Sequence, residues 1–298
     1  MIADSIAPSM GKYSARRPRT TGEKGRTPRP SRYLPFLLAL LLTLVWSPRG
    51  AGARKPEDLN WIRMSSQEIV VYSTVGGAES REILDLMRLF RNDCLEFLPV
   101  DPFLPPAPTR IFLLSSESAY EDIFSNSGSS TGTSGLFFPA IDANYIAVDL
   151  NAGTEGLATV FHEYFHFIAE HTMPNLPLWA NEGLAEFFST YKLDDGFGTA
   201  GHPIREHMIR LKFEEPMPFV DLFGVIGRSD EYHGGTQRQL FYSQSWALVH
   251  SQLTGTPDER QGFLDYLAAL ADGMSGQAAM VDYLDLDESR LLPDLPNR

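Results

Sequence analysis

Cysteine is almost missing. Cys94 is the only one in 298 residues, so no internal disulfide can form and the fold must be held by its packed core or by a metal. Its surroundings, "ILDLMRLFRNDCLEFL", repeat apolar residues at helical spacing, so Cys94 reads as a small core side chain and not as a nucleophile. Long apolar runs are missing as well. The stretch "YLPFLLALLLTLVW" holds 14 mostly apolar residues, fewer than the ~20 of a membrane-spanning helix. Basic residues are scarce beyond residue 53. Residues 54–298 carry 16 Lys/Arg against 36 Asp/Glu, a net charge near −20. That balance excludes nucleic acid as the main partner, because phosphate contacts need clustered cations. Internal repeats are absent too.

What is present begins with a basic head. Residues 1–53 hold nine Lys/Arg against Asp4 and Glu23. The order is basic stretch, short apolar run, then Ala51-Gly52-Ala53 in the A-x-A arrangement of a cleavage site. This predicts an export signal, with a retained membrane anchor or a buried core helix as the other readings. The expected location is periplasmic, extracellular or membrane-anchored in the envelope. The leader is long enough that translation from Met10 is an alternative start. Arg16-Arg17 is a weak twin-arginine signal, far from the apolar run.

The remaining chain has ordinary globular composition, 43% hydrophobic and 21% charged, enough for a sizeable core. The patterns predict a strand over 68–75, an amphipathic helix from Ser80 to Leu98 and a strand over 109–116 after the Pro-rich "VDPFLPPAP". A Gly/Ser/Thr loop (125–135) leads into "GLFFPAIDANYIAVDL", which reads as a strand pair. Beyond residue 155 the pattern is mainly helical, including 239–253 and 258–273. Strands first and helices afterwards predict an α+β fold with a mixed N-terminal sheet. The expected organisation is a leader (1–53), a main domain (54–255) and C-terminal helices (256–298) that cap or continue it.

One segment carries chemistry. "TVFHEYFHFIAEH" places His162 and His166 four apart, on one face of a helix, where both rings can reach one ion. Glu163 is one residue round that face. Such an arrangement suits a general base that takes the proton of a metal-activated water, as in the H-E-x-x-H pattern of zinc peptidases. Five residues alone leave a satisfied core histidine pair equally open. A catalytic zinc needs a third ligand, and "HTMPNLP" breaks the helix before "LWANEGLAEFFSTY" returns Glu182 and Glu186 four apart on a second helix.

"HEYFH" followed by "LPLWANEGLAEFF" resembles the gluzincin superfamily, in particular its peptidase MA-like domains, over roughly residues 68 to 255 in outline and closely only over 159–190. The resemblance implies a zincin-like fold, one Zn2+, a peptide or protein substrate, and Glu182 of the Asn-Glu dipeptide as third ligand. It also implies that Glu186 orients His162 from behind. One feature departs from the pattern. Only 15 residues separate His166 from Glu182, whereas Glu186 falls at the 19-residue separation of thermolysin. Local context outweighs spacing, since a connecting loop can shorten while the dipeptide and its acidic partner define the face that meets the metal. A metzincin is excluded: Thr172 and Ala169 stand where its third histidine and its glycine belong. His171 reads as a helix C-terminal residue suited to the dipole.

By the same resemblance, Tyr242 in "LFYSQSWALVHSQL" corresponds to the tyrosine that stabilises the oxyanion. Tyr242, Trp246 and Val249 also make an i, i+4, i+7 stripe that fits plain core packing, and Tyr232, His233 and His250 are alternative donors. The strand "NYIAVDL" is expected to be the edge on which an extended peptide pairs. The functional expectation is an exported zinc metallopeptidase. Its rival is a non-catalytic peptide- or partner-binding module of the envelope on the same scaffold, against which the intact Glu163 counts.

Overall fold

The computed structural model describes residues 59–66, 69–99, 108–115, 135–139, 143–150, 154–229, 232, 235–284 and 286. The leader, most of the Gly/Ser/Thr loop, His233 and the C-terminal tail lie outside them. Among the described residues no helix is long and apolar enough to cross a membrane.

Strands β1 (Ile62–Ser66), β2 (Ile69–Ser73), β3 (Thr109–Leu114), β4 (Gly135–Pro139) and β5 (Asn144–Asp149) form one sheet in the order β1-β2-β3-β5-β4. The pairs β2–β3 and β3–β5 are parallel, while β1 and β4 run antiparallel to their neighbours. Register follows the apolar alternation. Val71, Ile111 and Ile146 align in one row and Ser73, Leu113 and Val148 in the next, all buried, because a period of two turns alternate side chains to one face. The other face carries Tyr72, Phe112 and Tyr145, whose rings stack at 5.2 and 6.4 Å.

Helix α1 (Gly77–Phe97) covers β1 and β2, and α2 (Thr154–Thr172) runs against β4 and β5. Ile83, Leu84, Met87, Phe90 and Cys94 recur at three- and four-residue spacing on the buried side of α1. Burial holds the Cys94 thiol protonated, in keeping with a core side chain. Aromatic contacts tie the layers together: Phe90 stacks on Phe161 at 4.6 Å, and Phe165 of α2 on Phe188 of α3 (Leu178–Ser189) at 5.0 Å.

The α+β reading with a mixed sheet holds, and three local expectations are corrected. Strand β5 is not an edge: β3 and β4 flank it, and the edge on that side is β4. Strand β1 was not anticipated, since IRMSS has little apolar alternation and gains order by pairing with β2. A short hairpin, β6 (Lys192–Asp194) and β7 (Phe197–Thr199), interrupts the helical part, with Asp195 and Gly196 at positive φ in its turn.

Helices α4 (Arg205–Phe213), α5 (Phe219–Gly224), α6 (Gly235–Thr254), α7 (Pro257–Ala271) and α8 (Gly276–Tyr283) complete the structure. The packing of α6 is tightest against α3. Gly183 lies so close that an added Cβ would meet the Ser245 carbonyl oxygen at 2.4 Å and Val249 Cγ2 at 2.6 Å. Part of this obstacle is backbone and cannot swing aside. Gly183→Ala is therefore expected to lower stability by about 1–3 kcal/mol through overpacking, despite the ~1 kcal/mol that alanine gains in helix propensity. A thermal melt equal to or above wild type would show that the two helices separate freely. The C-terminal helices share this core: α7 packs on α6, α8 on α7, and the Tyr266 ring lies 6.0 Å from Trp179 of α3.

Candidate metal centre

Two helices build the site. Along α2 the apolar residues Val160, Phe161, Tyr164, Phe165, Ile168 and Ala169 are buried, while His162, Glu163 and His166 are half-buried and the two histidines meet Glu182 of α3. The break after Thr172 turns the chain through Pro174, and Pro177 caps α3. Proline at that point supplies a fixed φ and no N–H, which suits a helix start. The return along α3 brings Glu182 against both histidines.

The imidazole Nε2 atoms of His162 and His166 stand 3.0 Å apart. Glu182 Oε2 lies 3.4 Å from the first and 3.2 Å from the second. These three atoms form the one His/Cys/Asp/Glu group of metal-ligating spacing among the described residues. The spacing is that of ligands around an ion: tetrahedral zinc at ~2.0–2.1 Å from each ligand separates neighbouring ligand atoms by about 3.3 Å. Glu182 is also 1% exposed, and its Oε2 satisfies hydrogen-bond geometry with neither imidazole. A buried carboxylate oxygen is costly unless something positive meets it, and an imidazolium or a bound cation can do so here. The residues thus fit a divalent cation, with two imidazole nitrogens and one carboxylate oxygen as donors.

Glu182 is held from its other side, where the Tyr232 hydroxyl donates to Oε1 at 2.9 Å. Glu186, one turn later, takes the supporting position. Its Oε1 is 3.5 Å from His162 Nδ1, and its Oε2 accepts from His207 Nε2 at 3.1 Å. The chain of contacts continues. His207 Nδ1 meets Ser243 Oγ at 3.0 Å, and that hydroxyl donates to the Gln239 carbonyl at 2.8 Å. Glu186 is thereby clamped between an imidazole of the centre and an imidazole of α4.

The electrostatics favour positive charge here. Burial alone works against the imidazolium of His162, but its contact with Glu182 and the charges of Glu186, Glu182 and Glu163 outweigh burial and push its pKa up to about 9. Burial likewise opposes ionisation of Glu182, and the two imidazoles overcome it, holding the carboxyl well below the usual range. Glu186 is shifted the same way, burial being outweighed by the His207 hydrogen bond and the charge of His162. Glu163 is half-buried and makes no hydrogen bond or ion pair with any described residue, so its carboxylate is available to a proton.

Tyr242 lies at the centre and not only in the core. Its ring stacks over His162 at 6.1 Å and beside Tyr232 at 6.2 Å. Trp246 and Val249, the rest of its stripe, are buried. Arg238 donates to the Tyr242 hydroxyl at 3.5 Å. Burial and the Glu182 charge push the Tyr242 pKa up to about 12 against the opposing hydrogen bond and charge of Arg238, so the group stays a neutral O–H donor at neutral pH. His250 is placed elsewhere: its Nε2 donates to the Gly201 carbonyl at 3.0 Å. His171 is a helix-end residue whose Nδ1 donates to the Phe167 carbonyl at 2.8 Å.

His207, Ser243 and Arg238 carry no sequence signal that sets them apart. A histidine on a weakly patterned helix and a serine inside an apolar one point to nothing until the fold brings both to Glu186. No protein-family model matches the chain, and no curated protein matches it either.

Proposed function

We propose that the chain is an exported zinc-dependent peptidase of gluzincin type with a zincin-like fold. The observation that carries this reading is the convergence of His162 Nε2, His166 Nε2 and Glu182 Oε2 at 3.0–3.4 Å, with the last buried and lacking a hydrogen bond of good geometry. These three side chains would hold the cation. Two imidazoles and one carboxylate favour zinc among the common divalent ions. When bound, zinc supplies a Lewis acid that polarises a carbonyl and acidifies water.

The protein's own groups supply the rest. Glu163, one residue from His162 and without a protein partner among the described residues, takes a proton from the attacking water and delivers it to the leaving amine. Glu186, fixed by His207, holds the His162 ring in orientation through Nδ1. Tyr242 has an O–H to donate to the oxygen on which negative charge develops, and it is already polarised by Arg238. Tyr232, whose hydroxyl donates to Glu182, is the less suitable donor.

The reading is tested by elemental analysis of the purified chain together with cleavage of a peptide library. One zinc per chain is expected, with hydrolysis abolished by a chelator and restored by added zinc. A chain that takes up no zinc when it is supplied would return the histidine pair to core packing. A zinc-loaded chain that cleaves nothing would favour the binding-module alternative.

A further inference from the structure

Arg238 stands in the first turn of α6 with its side chain exposed. Its guanidinium carbon lies 5.3 Å from the centre of the Tyr242 ring, and its Nη2 donates to the Tyr242 hydroxyl. Tyr242 is the ring stacked on His162. An arginine thus sits at the margin of the metal centre, bound to it through an aromatic ring and not through a carboxylate.

Its place beside that ring is the informative feature. The Tyr242 contact is the largest influence on the guanidinium, and the charge of Glu182 adds to it in the same direction. A guanidinium has five N–H donors in a planar fork that matches a carboxylate in two-point contact. The Tyr242 hydroxyl takes one of them.

We infer that Arg238 is a specificity-determining residue that binds a carboxylate of the substrate beside the metal centre. The inference rests on the metallopeptidase reading and names the substrate class within it. Distance limits where that carboxylate lies. From the ring contacts, 5.3 Å and 6.1 Å, the guanidinium is within reach of the His162 ring, a span of no more than about three extended residues at ~3.3–3.6 Å each. The carboxylate therefore belongs to a residue close to the bond that is cut. It is either a free C-terminus, which makes the enzyme a trimmer of chain ends, or an Asp or Glu side chain, which makes it selective for acidic sequences.

Equilibrium binding of matched inhibitors separates these sources without requiring turnover. The probes are Leu-Phe dipeptides capped by a metal-binding hydroxamate, ending in a carboxylate or a carboxamide. A second pair is amidated and differs by Asp against Asn. On the zinc-loaded full chain the carboxylate member of one pair is expected to bind about tenfold tighter or more, as charge-assisted two-point hydrogen bonds do. Arg238→Gln should erase that ratio, and Arg238→Lys should keep part of it. Taking the ratio within a pair cancels any effect of the substitution on Tyr242, which both members share. A preference confined to the C-terminal pair supports end-trimming; one confined to the Asp/Asn pair supports acidic-sequence selection. Hydroxamates that bind with no ratio, or with a ratio that survives Arg238→Gln, overturn the assignment while leaving the peptidase reading intact. A chain that holds neither zinc nor any hydroxamate removes both.

Discussion

Glu163→Gln is expected to keep one zinc per chain and to lower peptide hydrolysis by about 10²–10⁴-fold, the usual contribution of a positioned general base. The substitution preserves shape and removes the only property the mechanism uses, a carboxylate that can accept a proton. Its structural cost is small for a specific reason. Glu163 is half-buried and has no hydrogen bond or ion pair to a described residue that an amide would break. His162, His166 and Glu182 keep their positions, because these depend on the packing of α2 against α3 and on Tyr232, none of which involves Glu163. Zinc content and melting temperature thus serve as controls within the same experiment. A fall in kcat with both controls unchanged identifies the base. Undiminished hydrolysis by the Gln variant would remove Glu163 from the mechanism and leave the metal site without an assigned base.

Much of the centre was legible in the sequence, for physical reasons that also explain what was not. A helix forces residues four apart onto one face, so His162 with His166, and Glu182 with Glu186, are pairs that periodicity alone identifies. The prolines between them mark where one helix must end and another can begin. Which glutamate meets the histidines is a different kind of question. It depends on the length of the turn through Pro174 and on the rotation of α3, which Gly183 fixes by letting the helix press onto Ser245 of α6. Strand order was hidden for a related reason. β5 pairs with β3 and β4 on its two sides, and nothing in "NYIAVDL" distinguishes a flanked strand from an edge. His207 and Arg238 reach the centre from α4 and α6, far along the chain from His162. Only tertiary packing gives them a role.

The choice between Glu182 and Glu186 yields the second large effect. Glu182→Ala should reduce zinc from one per chain to near none after dialysis, because a third ligand is lost outright. It should also destabilise the metal-free chain by about 1–3 kcal/mol, since the Tyr232 hydroxyl loses its acceptor in a half-buried site. Glu186→Ala is expected to keep zinc and to weaken its affinity by about 10–100-fold, the scale on which a carboxylate behind a histidine ligand acts. His207→Phe removes the donor that holds Glu186 Oε2 while retaining a ring of similar shape, so it should weaken zinc binding in the same direction. If His207 works only through Glu186, the double variant binds zinc no more weakly than Glu186→Ala alone, a non-additivity that independent damage to folding would not produce. The reverse pattern, with zinc lost in Glu186→Ala and kept in Glu182→Ala, would mean that the 19-residue spacing sets the ligand and that α3 turns by about 40° for the two glutamates to exchange roles. Such a rotation would drive Gly183 off its contact with Ser245, whose carbonyl leaves no room for a side chain. The packing of α3 on α6 and the identity of the third ligand therefore stand or fall together.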